Sequence, residues 1–475
     1  MKLQRLLMVE PRSPGKHIYS RFHLPRLGLP ILAALARQRG LEVRICIEEI
    51  SPLRQADLLG ADMVCISSIT PTARSAYLLA DRARRAGLPV LMGGAHPSFM
   101  PEEALGHADW VLRGEAERSF PALLDCLRAD ADLRAVPGLS WRGAADEPIH
   151  NPADPRPIDM DAEVPAPDFD SIIGRRPFHR GIIPIQISRG CPHCCRFCSV
   201  VPIFGQKMRY ASREKVADEL ERSRGKGDMV FFYDDNLCGS PGRAKDLLDY
   251  LMRREIFLPP WLAQVSVRTA RDRELLALMQ RSGCYAVFVG FESISEGALD
   301  LYRKRQAVDD IRMATHRFHE HGIRVHGMFM TGSDAEDVET IRRTADFALD
   351  NQIDTVQFLV LTPLPGTALF EEMESAGRLL TRDWSLYDTH HAVFRPARMS
   401  AYALMDETFK AMARVYSARR MLGLLSRADL RQLAIYLYAR IQIQRWRWEN
   451  RHLMTFERRV ERRFLSGLAD SVSSR

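Results

Sequence analysis

At 475 residues the chain is too long for one ordinary core, so two or three domains are expected. Its 46% hydrophobic and 27% charged residues suit a globular protein, and no apolar run of about 18 residues argues for a spanning helix. The net charge of +7 is lopsided: residues 401–475 hold 15 Lys/Arg against 7 Asp/Glu, so an electrostatic partner belongs at that end.

The first residues, MKLQRLLMVEPRSPGKH, are basic, but Glu10 and Pro11 end the apolar stretch before a signal-peptide core forms. A cytoplasmic protein is the resulting expectation. Five of the nine cysteines (Cys46, Cys65, Cys126, Cys238, Cys284) are scattered singly among mostly apolar neighbours and read as small buried hydrophobes.

Residues 1–143 alternate β-rich runs with helical ones. RLLMVE (5–10), EVRICI (42–47), DMVCIS (62–67) and PVLMGG (89–94) read as buried parallel strands. LGLPILAALARQRG and ARSAYLLADRARRAG have helical spacing and end in Gly, a helix-stop signal. The alternation predicts an α/β, doubly wound sheet, whose ligands lie at the carboxyl ends of its strands. Those ends hold SSIT (67–70), GGAHP (93–97) and RGEAE (113–117).

From Pro148 to Pro177 seven prolines lie among Asp, Asn and Ala, which predicts an extended linker over residues 144–180. A second domain, 181–385, opens with the strand GIIPIQIS. Five further strand-like runs follow: DMVFFYDDN, WLAQVSV, YAVFVGFES, RVHGMFMTG and TVQFLVLTPLPG. Six strands with helices between them predict a partial (β/α)6 barrel, with its chemistry at the strand ends. Residues 386–475 read as a basic helical region.

The first barrel strand runs directly into CPHCCRFC, with Cys191, Cys195 and Cys198 at C-x3-C-x2-C. Tetrahedral zinc needs a fourth protein ligand, and no later Cys or His pair has the required spacing. A [4Fe–4S] cube held by three thiolates keeps one iron open. The segment resembles the radical S-adenosylmethionine (SAM) superfamily, whose signature is C-x3-C-x-aromatic-C after the first barrel strand; Phe197 is the aromatic. The resemblance runs on in order over about 200 residues.

It implies that Cys191, Cys195 and Cys198 hold a [4Fe–4S] cluster whose open iron chelates the amino and carboxylate groups of SAM. Asp234 and Asp235 in FYDDN stand where the family contacts the SAM amino group. Glu292 and Ser293 in GFES stand at the ribose, and Gly327 and Gly332 in GMFMTG at the adenine. One-electron cleavage of SAM gives a 5′-deoxyadenosyl radical, and a low-potential electron donor of flavodoxin or ferredoxin type is implied. Cys194 falls outside the family spacing and reads as a bystander, and His193 as a local packing residue.

The order of domains resembles the cobalamin-binding class of this superfamily. Ser67 and Ser68 in SSI and Gly93–Gly94 look like the motifs that meet the nucleotide tail of cobalamin, and Gly114–Glu115 matches a pair common in the class. A Rossmann-like cobalamin-binding-type domain and methyl transfer to an unactivated carbon are thereby implied. One departure stands out. The loop EPRSPGKHIYSRFH lacks the D-x-H-x-x-G that supplies a cobalt ligand elsewhere, and His17 and His23 stand in a different context.

In the basic end, Leu433, Leu437 and Ile441 share a helical face, but IQIQRWRW alternates with period two and breaks the helical pattern. Trp and Arg together suit a lipid interface, so peripheral membrane contact is expected there. Nucleic acid is not. The reading is a radical SAM enzyme acting on a small or lipid-like metabolite. Its rivals are a cobalamin-free oxidoreductase or cyclase and a non-catalytic iron–sulfur sensor. No residue is identified as a general acid or substrate anchor.

Overall fold

The computed structural model describes residues 2–15, 24, 26–174 and 181–455. Seven strands form the first sheet: β1 (Arg5–Glu10), β2 (Glu42–Ile47), β3 (Met63–Ser67), β4 (Val90–Gly93), β5 (Trp110–Leu112), β6 (Leu139–Arg142) and β7 (Pro148–His150). Their order is β2-β1-β3-β4-β5-β6-β7, parallel through β5 and antiparallel beyond it. Apolar residues on both faces of β1 explain why helices cover both sides. Leu7 and Val9 pack with the helix Ala73–Arg85, and Leu6 and Met8 with the helices Gly28–Arg37 and Ser119–Ala129.

The strand order reverses between β1 and β3, so the ligand crevice of such a sheet opens where Ser67 and Ser68 lie. The Pro-rich segment is not idle. Ile172 bridges to Ile45, with Ile45 N–H donating to Ser171 O at 2.8 Å, and so covers the β2 edge.

The second sheet is all-parallel, in the order β15-β14-β13-β12-β11-β8. It comprises β8 (Ile182–Ile185), β11 (Met229–Phe232), β12 (Trp261–Val265), β13 (Cys284–Glu292), β14 (Arg324–Thr331) and β15 (Thr355–Val360). A separate two-residue pair, β9 (Ser188–Arg189) with β10 (Arg209–Tyr210), brackets the cysteine segment. The six strands expected from sequence are therefore the six that form the open barrel. Its β15 edge is closed by side chains from the C-terminal helices. Tyr416 OH donates to Val356 O at 2.6 Å and accepts its N–H at 2.9 Å, and Tyr436 OH donates to Asp354 O at 2.8 Å.

Helices Ala401–Val415, Ala418–Ser426 and Leu430–Glu449 make the C-terminal region. IQIQRWRW, whose alternation broke the helical pattern, is helical throughout. Ile443 and Trp446, three apart, are buried in the barrel core, and that tertiary packing overrides the local pattern. Chain order does not separate the cores completely. Phe370, Trp384, Tyr387 and Val393 pack into the first sheet's core, and Trp384 Nε1–H donates to Glu103 Oε1 at 2.7 Å. Among the described residues no helix is long and apolar enough to cross a membrane.

Candidate functional site

The cysteines sit on the loop between β9 and the helix Val200–Phe204. Gly190 enters this loop at φ +93, and a Cβ there would stand 2.8 Å from Lys207 O, so the turn requires glycine. The loop is pinned from outside: Cys191 N–H donates to Gly205 O and Arg196 N–H to Tyr302 O. Phe197 meets Tyr302 edge-on at 5.2 Å, which fixes the aromatic of the motif against the barrel.

Cys191, Cys195 and Cys198 are half-buried, whereas Cys194 is exposed beside the Gln206 amide. Burial pushes the Cys195 thiol up to about 11 and the Cys198 thiol up to about 12. Cys191 raises both, and Cys195 raises Cys198, so the three stand within electrostatic reach of one another. Among the described residues no three His, Cys, Asp or Glu side chains converge on a single ion. Three thiols on one short loop can each bind a separate iron of a cube. The donor set fits the cluster.

A ring of charge surrounds the loop. Asp234 is buried, accepts from Ile187 N–H at 3.2 Å and Ser188 Oγ–H at 2.6 Å, and thereby holds the strand that leads to the cysteines. Burial pushes its carboxyl up to about 7, and that of Asp235 up to about 6. Glu292, at φ +61 on a bulge of β13, lies 2.6 Å from Lys304 Nζ. Gly290 makes room for this pair, since a Cβ there would fall 2.4 Å from Glu292 Oε1. Ser293 Oγ–H donates to Glu336 Oε1 at 2.5 Å, and Glu336 Oε2 accepts from Gly332 N–H at 3.1 Å and Ser333 N–H at 3.0 Å. Gly332 (φ +104) caps β14 against Leu404, while Gly327 leaves space for the Phe291 ring.

Sequence reasoning missed Lys304, Glu336 and Arg189. Arg189, one residue before the loop glycine, is buried between Glu115 (2.8 Å) and Glu117 (2.7 Å) of the first domain, and Arg209 shares Glu115 at 2.8 Å. The RGEAE segment singled out at the end of β5 supplied the only hint.

At the crevice of the first sheet, Gly94 (φ +96) lets the β3 and β4 loops nest. A Cβ there would stand 2.6 Å from Ser68 O. Ser68 is fully buried, its N–H donating to Gly93 O at 2.9 Å and its Oγ lying 3.2 Å from Thr72 Oγ1. Ser67 is half-buried at the strand end. Ser98 joins the next loop, donating to Gly94 O at 2.7 Å and accepting Gly114 N–H at 2.9 Å. A cavity of about 290 Å³ opens here, lined by Ser98, Arg113, Gly114, Glu115 and, from the helix after the cysteines, Pro202 and Ile203. Arg113 Nε is buried with no hydrogen-bond partner among the described residues. An unsatisfied donor in a polar cavity fits the amide- and phosphate-bearing rim of a corrinoid. His17 and His23 lie outside the described residues.

Two family models match the chain: the B12 binding domain over residues 18–124 and the Radical SAM superfamily over residues 185–348. The chain thus carries a B12-binding domain ahead of a radical SAM domain, an arrangement that resembles the cobalamin-binding class of radical SAM proteins. Its domains are those of a radical SAM enzyme whose cofactors are SAM, a [4Fe–4S] cluster and cobalamin. A bacteriochlorophyllide d C-12(1)-methyltransferase of Chlorobaculum tepidum is 29% identical over 434 residues, covering 88% of this chain and 90% of the relative. A hopanoid C-3 methylase of Methylococcus capsulatus is 27% identical, covering 87% and 80%. The solved structure of the cobalamin-dependent SAM radical enzyme OxsB superposes with a TM-score of 0.68 at 16% identity, over 92% of this chain and 72% of that one, and so shares the fold.

Proposed function

We propose that the enzyme methylates an unactivated carbon of a lipophilic, ring-built metabolite. The observation that carries this reading is the span of the two relatives above. One is named for methylation of a bacteriochlorophyllide and the other for methylation of a hopanoid, and the alignments cover 88% and 87% of this chain. When bound, the cofactors supply hydrogen-atom abstraction by a SAM-derived radical and donation of a methyl group.

In this reading Cys191, Cys195 and Cys198 hold the cluster, and Phe197 fixes their loop. Asp235, Ser293 and Gly332 line the SAM pocket. Asp234, Glu336 and the Glu292–Lys304 pair hold its walls in place, and Gly327 serves packing beneath it. Ser67, Ser68, Gly93 and Gly94 carry cobalamin, with Arg113 donating to its polar rim. We keep 1–143, 144–180, 181–385 and 386–475 as the units of the chain. The electron comes from a low-potential donor of flavodoxin or ferredoxin type, and the basic C-terminal region meets a membrane surface.

The test is anaerobic purification with iron, sulfide and cobalamin, then SAM, dithionite and extracted lipid or tetrapyrrole pools. The expected result is 5′-deoxyadenosine together with a product heavier by one methylene unit. Substituting Ala for Cys191, Cys195 or Cys198 abolishes iron-dependent absorbance and SAM cleavage, and Cys194→Ser keeps both. Retention of the cluster in Cys191→Ala sinks the ligand assignment; methylation of polar metabolites alone sinks the substrate class.

A further inference from the structure

The helix Leu430–Glu449 is apolar on two opposite sides. Its inner side buries Tyr436, Ile443 and Trp446 in the barrel core. On the other side Leu430, Leu437, Ile441 and Trp448 follow at intervals of seven, four and seven residues, which stacks them along one line of an α-helix. All four are exposed, Ile441 by 57% and Trp448 by 65%. The neighbouring helix Ala418–Ser426 adds exposed Leu422 and Leu425. A helix that served the barrel core alone would carry polar residues on its outer side. Contiguous exposed apolar surface of this kind marks a binding face.

Charge decides between occupants. Exposed Arg431 and Arg445, the latter paired with Glu449 at 2.8 Å, border the stripe and Arg451 follows it, in the part of the chain with 15 Lys/Arg against 7 Asp/Glu. Residues 456–475 are themselves net basic, with Arg458, Arg459, Arg462 and Arg463 close together. The tail, or a second copy meeting this face with its own, would therefore bring like charge to this rim, whereas an anionic lipid surface brings the opposite charge. A Trp- and Leu-bearing stripe edged by Arg is the chemistry of an interfacial helix.

We infer that the outer face of helices Ala418–Ser426 and Leu430–Glu449 docks on an anionic lipid bilayer, with the mouth of the barrel at the C-terminal end of the docked helix. The second half follows from where the helix ends. Asn450 Oδ1 lies 3.1 Å from His391 Nε2, and Thr389 O, two residues away, accepts from Val360 N–H at the carboxyl end of β15. The cysteine loop follows the first strand at that same end of the barrel. A lipophilic substrate held in the bilayer is then brought beside that mouth. The inference rests on the membrane contact proposed above and adds the face, the lipid charge and the place of the mouth.

The test is sedimentation of the reconstituted full-length protein with phosphatidylcholine vesicles, with and without phosphatidylglycerol. Binding is expected only with phosphatidylglycerol, and it weakens as salt rises. The double substitution Leu437→Glu/Ile441→Glu is expected to lower the bound fraction at least about tenfold, while lipid-free SAM cleavage stays unchanged. Trp448→Ser, which removes one exposed ring, gives a smaller loss in a chain whose circular dichroism matches the parent.

A parent that stays in solution with anionic vesicles sinks the membrane reading and the face together. A parent that binds while the double variant binds equally well sinks the face alone. Binding that appears only after deletion of residues 456–475 makes the tail the occupant and overturns the inference. Methyl transfer to detergent-dispersed substrate reports on the substrate class independently of all three outcomes.

Discussion

Lys304 Nζ lies 2.6 Å from Glu292 Oε1, in a largely buried position whose charge is felt by the thiols of Cys195 and Cys198. Burial alone would lower the ammonium, but Glu292 together with the Cys195 and Cys198 thiols outweighs it and the net shift is upward. The pair therefore places a fixed cation beside the proposed cluster ligands. Lys304→Met strands the Glu292 carboxylate and is expected to cost about 3 kcal/mol. It also lowers iron content, because thiolates form less readily without a neighbouring cation. Denaturant midpoints and iron per chain measure the two effects. Lys304→Met/Glu292→Met should recover stability and leave iron content low; full recovery of iron would make the pair purely structural.

Gly94→Ala tests the crevice of the first sheet. The substitution forces a Cβ to 2.6 Å from Ser68 O at φ +96, a conformation that costs a non-glycine residue about 1–3 kcal/mol. The β3 and β4 loops must part, so bound cobalamin, read from its visible absorbance, is expected to fall. Iron content should not change, since the cysteine loop is pinned by Gly205 and Tyr302 instead. Unchanged cobalamin retention would detach this glycine from cofactor binding.

A third variant probes the tie between the two sheets. Arg189→Met removes the cation shared by Glu115 and Glu117, leaving Glu115 to Arg209 and Glu117 without its ion-pair partner. The loss of one partner from a buried ionic cluster is expected to cost about 3–5 kcal/mol. Arg189 sits next to the loop glycine and Glu115 lines the cavity of the first domain, so cobalamin and iron content should fall together. A variant that loses only stability, with both contents intact, would reduce the arginine to a scaffold.

Of these three residues the sequence made only Gly94 legible, at the end of a strand-like run. The six barrel strands are continuous apolar runs of β-branched and aromatic residues, because both faces of a parallel strand are buried, and each appeared in order. CPHCCRFC was equally plain, since its meaning lies in spacing over eight positions. Strands β5 to β7, three or four residues each, are too short to carry a periodic signal. Arg189 and Glu115 are 74 positions apart, and Ser293 and Glu336 are 43 apart. Pairings at such separations exist only after folding. Leu430–Glu449 was obscured for another reason: apolar residues on two opposite sides cancel the single-faced pattern by which a helix is recognised.

The Asp388–His391 pair carries the last prediction, a dependence on pH. His391 Nδ1 lies 3.0 Å from both oxygens of Asp388, and its Nε2 lies 3.1 Å from Asn450 Oδ1. Asn450 Nδ2–H donates to Trp446 O at 3.0 Å, which fixes the amide so that its oxygen faces the ring. Both ring nitrogens therefore meet acceptors, and the imidazolium form satisfies both. Burial would lower His391, but Asp388 reverses the shift and raises it above 6.5; burial likewise opposes Asp388, which His391 holds down at about 2. A raised histidine contributes stability that is complete below pH 6.5 and is lost as pH climbs through its folded value. A depressed carboxylate contributes above pH 3.8 and is lost as pH falls toward 2. The chain should thus be steadier at pH 6 than at pH 9, and His391→Gln should flatten that alkaline limb. Thermal midpoints of parent and variant across pH 5–9 decide it. Equal slopes in the two proteins would assign the alkaline loss to other groups.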